Sequence, residues 1–243
     1  MRVAEPFSLA AEHIAIVLLD IEGTTTPIAF VHNVLFPYAR ARVGSFLESH
    51  GSDDDVRKIV EDLRTEQRSA IANSDERREA TVVDYVHALM DRDRKSGPLK
   101  ALQGRIWERG YRDGELKGEV YPDVPTAFAR WTADGLRIGI FSSGSVLAQQ
   151  LLFANSTAGD LSRFLSCHFD TGVGAKGEAG SYRRIVETLG VAAARILFVS
   201  DVVKELDAAR EAGLRTLLCV RPPASVPTSN AYDRVKSFDT ITS

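Results

Sequence analysis

A chain of 243 residues with 44% apolar side chains is long enough to bury a substantial core, as one sizeable domain or as a domain carrying an insertion. Its 30 basic and 33 acidic residues leave a formal charge of −3, which offers no net field for nucleic acid or an anionic membrane, so any affinity for phosphate must be local. The amino-terminal Met-Arg-Val-Ala-Glu-Pro lacks the apolar core of a signal peptide, no apolar run approaches the ~20 residues that span a bilayer, and Cys167 and Cys219 fall at strand-like apolar positions, so a cytoplasmic protein with reduced, structural thiols is expected.

The first predicted strand, near 14–20, is an apolar run that ends in Asp20 and is followed by Glu22, Gly23, Thr24 and Thr25. A buried strand that delivers an acid at its carboxyl end before a glycine turn puts that acid at the mouth of a parallel sheet, where α/β proteins place ligands. After it comes a long stretch with no convincing strand, roughly Pro27 to Glu119. There Val56, Ile59, Val60 and Leu63, then Val82, Val83, Val86, Leu89 and Met90, then Leu99, Leu102 and Ile106 recur at helical spacing. This predicts a helical insertion. Ser52–Asp55 and Asp91–Lys95 read as helix-start and solvated surface segments, and His32, His50, His87 and His168 show no metal-ligand spacing.

From residue 125 onward, predicted helices near 125–134, 145–155, 181–189 and 204–212 alternate with strands near 137–142, 167–170, 195–200 and 215–220. That alternation predicts a Rossmann-like parallel sheet with helices on both faces and right-handed crossovers. Gly135, Gly190 and Gly213 follow helical segments as carboxyl-terminal caps. The second strand ends in Ser142 and Ser143 before a helix, where hydroxyls and free first-turn N–H groups can cradle an anion. Lys176 follows in the Gly-rich loop Gly172–Glu178, and a third strand ends in Asp201 with Glu205 one helical turn beyond. Residues Pro222 to Ser243 read as an irregular arm with a short terminal element.

The order Asp20-x-Glu22-Gly23-Thr24, Ser142-Ser143, Lys176, Asp201-x-x-x-Glu205 resembles the four-motif signature of the haloacid dehalogenase superfamily of aspartate-nucleophile phosphotransferases. The strings Leu19–Phe30, Leu35–Tyr38, Phe141–Ser145, Phe169–Thr171 and Glu178-x-x-Ser181-Tyr182 are more closely similar to its enolase-phosphatase family of methionine salvage. The likeness runs from about Ile16 to Pro222. Glu22 stands where most phosphatases of the superfamily carry Asp, and the enolase-phosphatase family carries Glu there.

The resemblance implies an α/β core, residues 1–26 and 120–243, with 27–119 as an inserted helical cap that excludes water and supplies a pocket for the rest of the substrate. It implies Asp20 as nucleophile, and Ser142, the Ser143 backbone and Lys176 as the phosphoryl cradle. Mg²⁺ is expected on Asp20, Asp201 and Glu22, the last through its backbone carbonyl, with Glu205 orienting a metal-bound water. The implied substrate, 2,3-diketo-5-methylthiopentyl 1-phosphate, is enolised by loss of a C1 proton and then dephosphorylated to an acireductone. Glu22 is the candidate acid for the leaving oxygen and a candidate base at C1. A small phosphorylated substrate, no nucleic-acid or membrane partner and a monomer are expected. Two other readings stand beside this one: a simple phosphatase on another small phosphoester, against which Glu22 and the Asp20–Phe30 string argue, and a non-catalytic binding protein, against which Asp20, Lys176 and Asp201 argue.

Overall fold

The computed structural model describes residues 6–73, 81–92, 94, 96–222 and 231–242, with the side chains of 71–73 left aside. The chain divides into two compact units, Met1–Phe30 with Lys117–Ser243, and Val31–Leu116. In the first unit, strands β1 (Phe7–Ser8) and β2 (Ile16–Leu19) precede a short helix α1 (Ile28–Phe30). After the second unit come helix α6 (Val124–Ala133), β3 (Arg137–Phe141), α7 (Val146–Ala154), β4 (Leu165–Phe169), α8 (Ala179–Leu189), β5 (Ile196–Ser200), α9 (Val203–Glu211), β6 (Arg215–Cys219), β7 (Arg234–Val235) and β8 (Ile241–Thr242). Six strands form an all-parallel sheet in the order β4-β3-β2-β5-β6-β7, and β1 pairs with β8 in a separate parallel ribbon.

Strand β2 sits centrally, in register with Arg137–Ile140 on one side and Ile196–Val199 on the other, and all four of its side chains are buried. A strand buried on both faces must be apolar throughout, which is why Ile16–Leu19 reads as an uninterrupted run rather than an alternation. Ile16 and Leu18 join Phe141, Tyr182, Ile185, Phe198, Leu206 and Leu218 in one core layer with α8 and α9. By the pleat, Val17 and Leu19 point the opposite way, to the face where α6 and α7 supply Phe128, Trp131 and Phe153, ring against ring. Each of these fully buried side chains contributes about 1.5–3 kcal/mol relative to exposure. Gly135, Gly190 and Gly213 take positive φ of 80°, 69° and 88° just past α6, α8 and α9, as their sequence positions predict.

The carboxyl-terminal residues depart from expectation. Residues 223–230 lie outside the described residues, but 231–242 form no irregular arm: β7 extends the main sheet from β6, β8 pairs with β1, and Phe238 and Ile241 are fully buried. Arg130 donates to the carbonyls of Phe238 and Ile241, and the Trp131 indole N–H also reaches Ile241. The short, polar sequence hides this because strands of two residues have no periodicity to read.

The second unit contains a π-helical turn (Val31–Leu35) leading into α2 (Phe36–His50), then α3 (Asp54–Asn73), α4 (Val82–Asp91) and α5 (Gly97–Arg112). Helix α2 is missing from the sequence reading. Its buried residues, Ala39, Val43 and Phe46, recur at helical spacing, but Pro37 near its start disguises it. Proline has no N–H to continue the hydrogen-bond ladder of the preceding turn, and the wider π turn absorbs the mismatch. Thr81 and Asp84 form a reciprocal capping box on α4. Ser96 caps α5 and donates to Glu66, tying α5 to α3. Of the charge run near the start of α5, Asp93 and Lys95 lie outside the described residues.

Candidate active site

Four segments at the carboxyl ends of β2, β3 and β5 and in the loop before α8 bring the sequence-predicted residues together. Asp20 is the first residue after β2 and is 2% exposed. Its backbone N–H is bound to the Val199 carbonyl, and Thr25 Oγ1 donates to its carbonyl at 3.2 Å. Lys176, in the Gly-rich loop before α8, is 8% exposed. Its Nζ donates to Asp20 Oδ1 at 2.5 Å and pairs with Glu205 Oε2 at 2.7 Å. Burial by itself would lower the lysine pKa, but the Asp20 and Glu205 carboxylates outweigh it and raise it, so the ammonium stays charged. The loop that carries Lys176 is tied to α8 by Ser181 Oγ, which donates to the Ala175 carbonyl at 2.8 Å, and by Arg184 Nε, which donates to the Val173 carbonyl.

Glu205 stands one helical turn beyond Asp201, as its spacing predicts. It is a direct partner of Lys176, and it also accepts from Ser200 Oγ at 3.0 Å. Ser200, fully buried, also reaches Asp20 Oδ2 at 3.4 Å and accepts from the Val202 N–H. Sequence reading passed over Ser200, although a hydroxyl closing an apolar strand just before Asp201 is the signal that marks it. In the sequence Tyr182 stands out only within the string Glu178-x-x-Ser181-Tyr182. Its ring packs edge-on against Phe141 and Phe198, and its buried hydroxyl has no partner; burial first, then Glu205 and Asp20, raise its pKa.

The two serines after β3 are not equivalent. Ser142 is 1% exposed and its Oγ accepts from the Gly144 N–H at 3.1 Å, whereas the Ser143 side chain is exposed. The amino-terminal cap of α7 is Ser145, whose Oγ accepts from Ala148 N. Ser142 and Ser143 are thus released from capping.

The turn after Asp20 is closed by the N–H groups of Thr24, Thr25 and Thr26, which converge on the Ile21 carbonyl, while Gly23 N–H bonds to Thr26. The Glu22 carbonyl stands outside this network. Glu22 itself is half-buried, and its carboxyl is raised above the usual range by burial first and then by Asp20, against the opposing pull of Lys176. Gly23 has φ of 74°, and a Cβ there would lie 2.3 Å from Asp201 Oδ2. Asp201 thus approaches the turn as closely as only glycine permits.

Asp201 bears on whether these residues suit a cation. Its Oδ1 is buried without a hydrogen-bond partner, and its carboxyl is pushed up to about 7 by burial and then by Asp20. Crowded hard-oxygen donors whose mutual repulsion a cation would relieve suit a divalent metal such as Mg²⁺. Among the described residues no three His, Cys, Asp or Glu side chains converge as a cage. The fit therefore rests on two carboxylates, Asp20 and Asp201, with the Glu22 carbonyl. A cleft of about 480 Å³, lined in part by Tyr121, Asp123, Arg221 and Lys236, does not include Asp20. Among the described residues no helix is long and apolar enough to cross a membrane.

Comparison with known proteins gives the family. The family model for haloacid dehalogenase-like hydrolases matches residues 14–213. Enolase-phosphatase E1 of Synechococcus elongatus is 51% identical over 232 residues, covering 94% of this chain and 98% of its own. Enolase-phosphatase E1 of Drosophila mojavensis is 48% identical over 231 residues, covering 92% and 93%. Among solved structures, the UTR4 protein of Saccharomyces cerevisiae, 34% identical, superposes with a TM-score of 0.77 over 94% of this chain and 100% of that one. CbbY from Rhodobacter sphaeroides, solved in complex with phosphate, shares the fold alone, at 17% identity and a TM-score of 0.56 over 93% and 95%.

Proposed function

The chain belongs to the enolase-phosphatase family of haloacid dehalogenase-like hydrolases, and from that premise we propose that it converts 2,3-diketo-5-methylthiopentyl 1-phosphate to the acireductone by enolisation and dephosphorylation in one site, as a step of methionine salvage. The observation that carries the reading is Glu22. A half-buried carboxyl two residues beyond the nucleophile, on the turn that carries it, with its pKa raised above the usual carboxylate range by burial and by Asp20, is placed to take a proton and to return it.

In the first step Glu22 accepts the C1 proton and the C2 oxygen takes one from solvent, leaving the enol phosphate. In the second, Asp20 attacks phosphorus, the bond from phosphorus to the C1 oxygen breaks, and Glu22 returns its proton to that oxygen. Water then hydrolyses the aspartyl phosphate and frees Asp20. Lys176, held by Asp20 and Glu205, keeps the nucleophile oriented and offsets charge on the phosphoryl oxygens, which Ser142 and the Ser143 N–H also bind. Asp20, Asp201 and the Glu22 carbonyl would hold Mg²⁺, which when bound reduces the repulsion between the carboxylate and the phosphate dianion.

The second unit, Val31–Leu116, serves in this proposal as a helical cap that holds the non-phosphate part of the substrate. A monomeric, cytoplasmic enzyme belongs to the same reading, and the two free cysteines suit a reducing compartment. The test is to supply the diketo phosphate with Mg²⁺ and follow enol absorbance and phosphate release together. Enol should appear first and phosphate second, and Asp20→Asn should lose phosphate release by ~10⁴-fold or more, as removal of a nucleophile does elsewhere. Phosphate release without transient enol would return the protein to the simple phosphatases, and turnover surviving in Asp20→Asn would remove Asp20 as nucleophile.

A further inference from the structure

The mechanism leaves unused a buried ion pair on the turn that carries Glu22. Arg221, just beyond β6, is 5% exposed, and its Nη1 meets Asp123 Oδ2 at 2.6 Å; the Asp123 side chain is 8% exposed. The same guanidinium donates from Nε to the Thr24 carbonyl at 2.9 Å and lies between two aromatic rings, 4.3 Å from the Tyr121 centroid and 4.5 Å from that of Phe238. Asp123 also accepts from Ser237 Oγ at 3.0 Å and from the Phe238 N–H, and Tyr121 N–H donates to the Thr25 carbonyl at 2.9 Å. The N–H groups of the turn bond within it, and its Thr24 and Thr25 carbonyls are held from outside by Arg221 and Tyr121.

Burying such a pair gains little net stability, because desolvation of both ions offsets their attraction, and two well-packed apolar side chains would serve as well. What apolar packing lacks is directed donors. A guanidinium presents several N–H groups in a rigid plane, so it can fix a backbone carbonyl and a carboxylate at once while stacked between rings. We infer that Arg221, braced by Asp123 and Phe238, is a positioning residue that holds the Glu22 turn through the Thr24 carbonyl and so sets where the Glu22 carboxyl meets the leaving oxygen. The inference rests on the proposed acid role of Glu22.

Two aryl phosphates of nearly the same shape test it. The leaving oxygen of p-nitrophenyl phosphate departs without a proton, whereas the more basic one of phenyl phosphate needs it. Comparing both substrates in one preparation cancels any loss of folded protein, so a merely structural defect leaves the ratio of their kcat values unchanged. Arg221→Lys should lower kcat on phenyl phosphate at least about tenfold more than on p-nitrophenyl phosphate, with KM little altered, since a misplacement near 1 Å can cost ~100-fold. Phe238→Leu, which keeps both hydrogen-bonding partners and only loosens the stack, should shift the ratio the same way by less. Glu22→Gln is the reference: it should show the largest shift, and adding Arg221→Lys to it should shift the ratio no further. If Glu22→Gln discriminates between the substrates and Arg221→Lys does not, the positioning role is overturned. If Glu22→Gln itself fails to discriminate, the acid role of Glu22 falls, and this inference with it.

Discussion

Asp20 and Lys176 illustrate how far a residue's role depends on neighbours distant in the chain. An aspartate at the end of a strand is commonly a turn residue, and a lysine in a Gly-rich loop is commonly solvated. Here each is buried and the two are in contact, with Glu205 and Ser200 completing the network. At the same scale, Gly23 is a position where a single methyl group should matter. Its φ of 74° costs any other L-residue about 1–2 kcal/mol, and a Cβ would strike Asp201 Oδ2. Gly23→Ala should therefore lower the melting temperature and, by moving Asp201, raise the Mg²⁺ concentration needed for half-maximal activity. An unchanged Mg²⁺ requirement in a destabilised but folded variant would remove Asp201 from the proposed metal site.

Between elements, the decisive contacts are those that connect strand ends to the turn after β2. Asp123, at the start of α6, links β6 to the residues around Phe238 through Arg221. Burial would raise its carboxyl, but the Arg221 hydrogen bond, the Phe238 N–H and Ser237 outweigh burial and hold it below the usual carboxylate range. A carboxylate whose folded pKa is depressed contributes stability that is fully present above its unfolded value, about 3.9, and is lost as pH falls through the lower folded value. Asp123→Asn should accordingly lower the melting temperature at pH 6 and flatten its decline below pH 4, measured by thermal unfolding from pH 2 to 7. A decline as steep as the parent's would show that acid lability arises elsewhere.

For the whole molecule, the proposed metal requirement joins the two carboxylates to one function. Excess chelator should abolish phosphate release, Mg²⁺ should restore it, and Ca²⁺ should inhibit, because its looser, larger coordination shell places nucleophile and phosphate less well. Full activity in excess chelator, followed by phosphate release, would contradict the metal assignment.

Much of this molecule is legible without coordinates, and the reason is local. Ile16–Leu19, Arg137–Phe141 and Ile196–Ser200 are strands buried on both faces, so their apolar runs are unmistakable, and what terminates each run, Asp20, Ser142 or Asp201, stands at the sheet's carboxyl edge by connectivity alone. Three parallel strands in one sheet bring those termini together whatever the helices do. Other features depend on partners far away in sequence and carry no periodic signal. Helix α2 was masked by Pro37, and two-residue strands near the carboxyl terminus are too short to show alternation. Ser200 was hidden beside a more conspicuous acid. Whether Glu205 stands off or pairs with Lys176, and whether Arg221 is a surface cation or the buried anchor of the Glu22 turn, was decided only by tertiary structure, because burial and pairing belong to the packed environment and not to the residue.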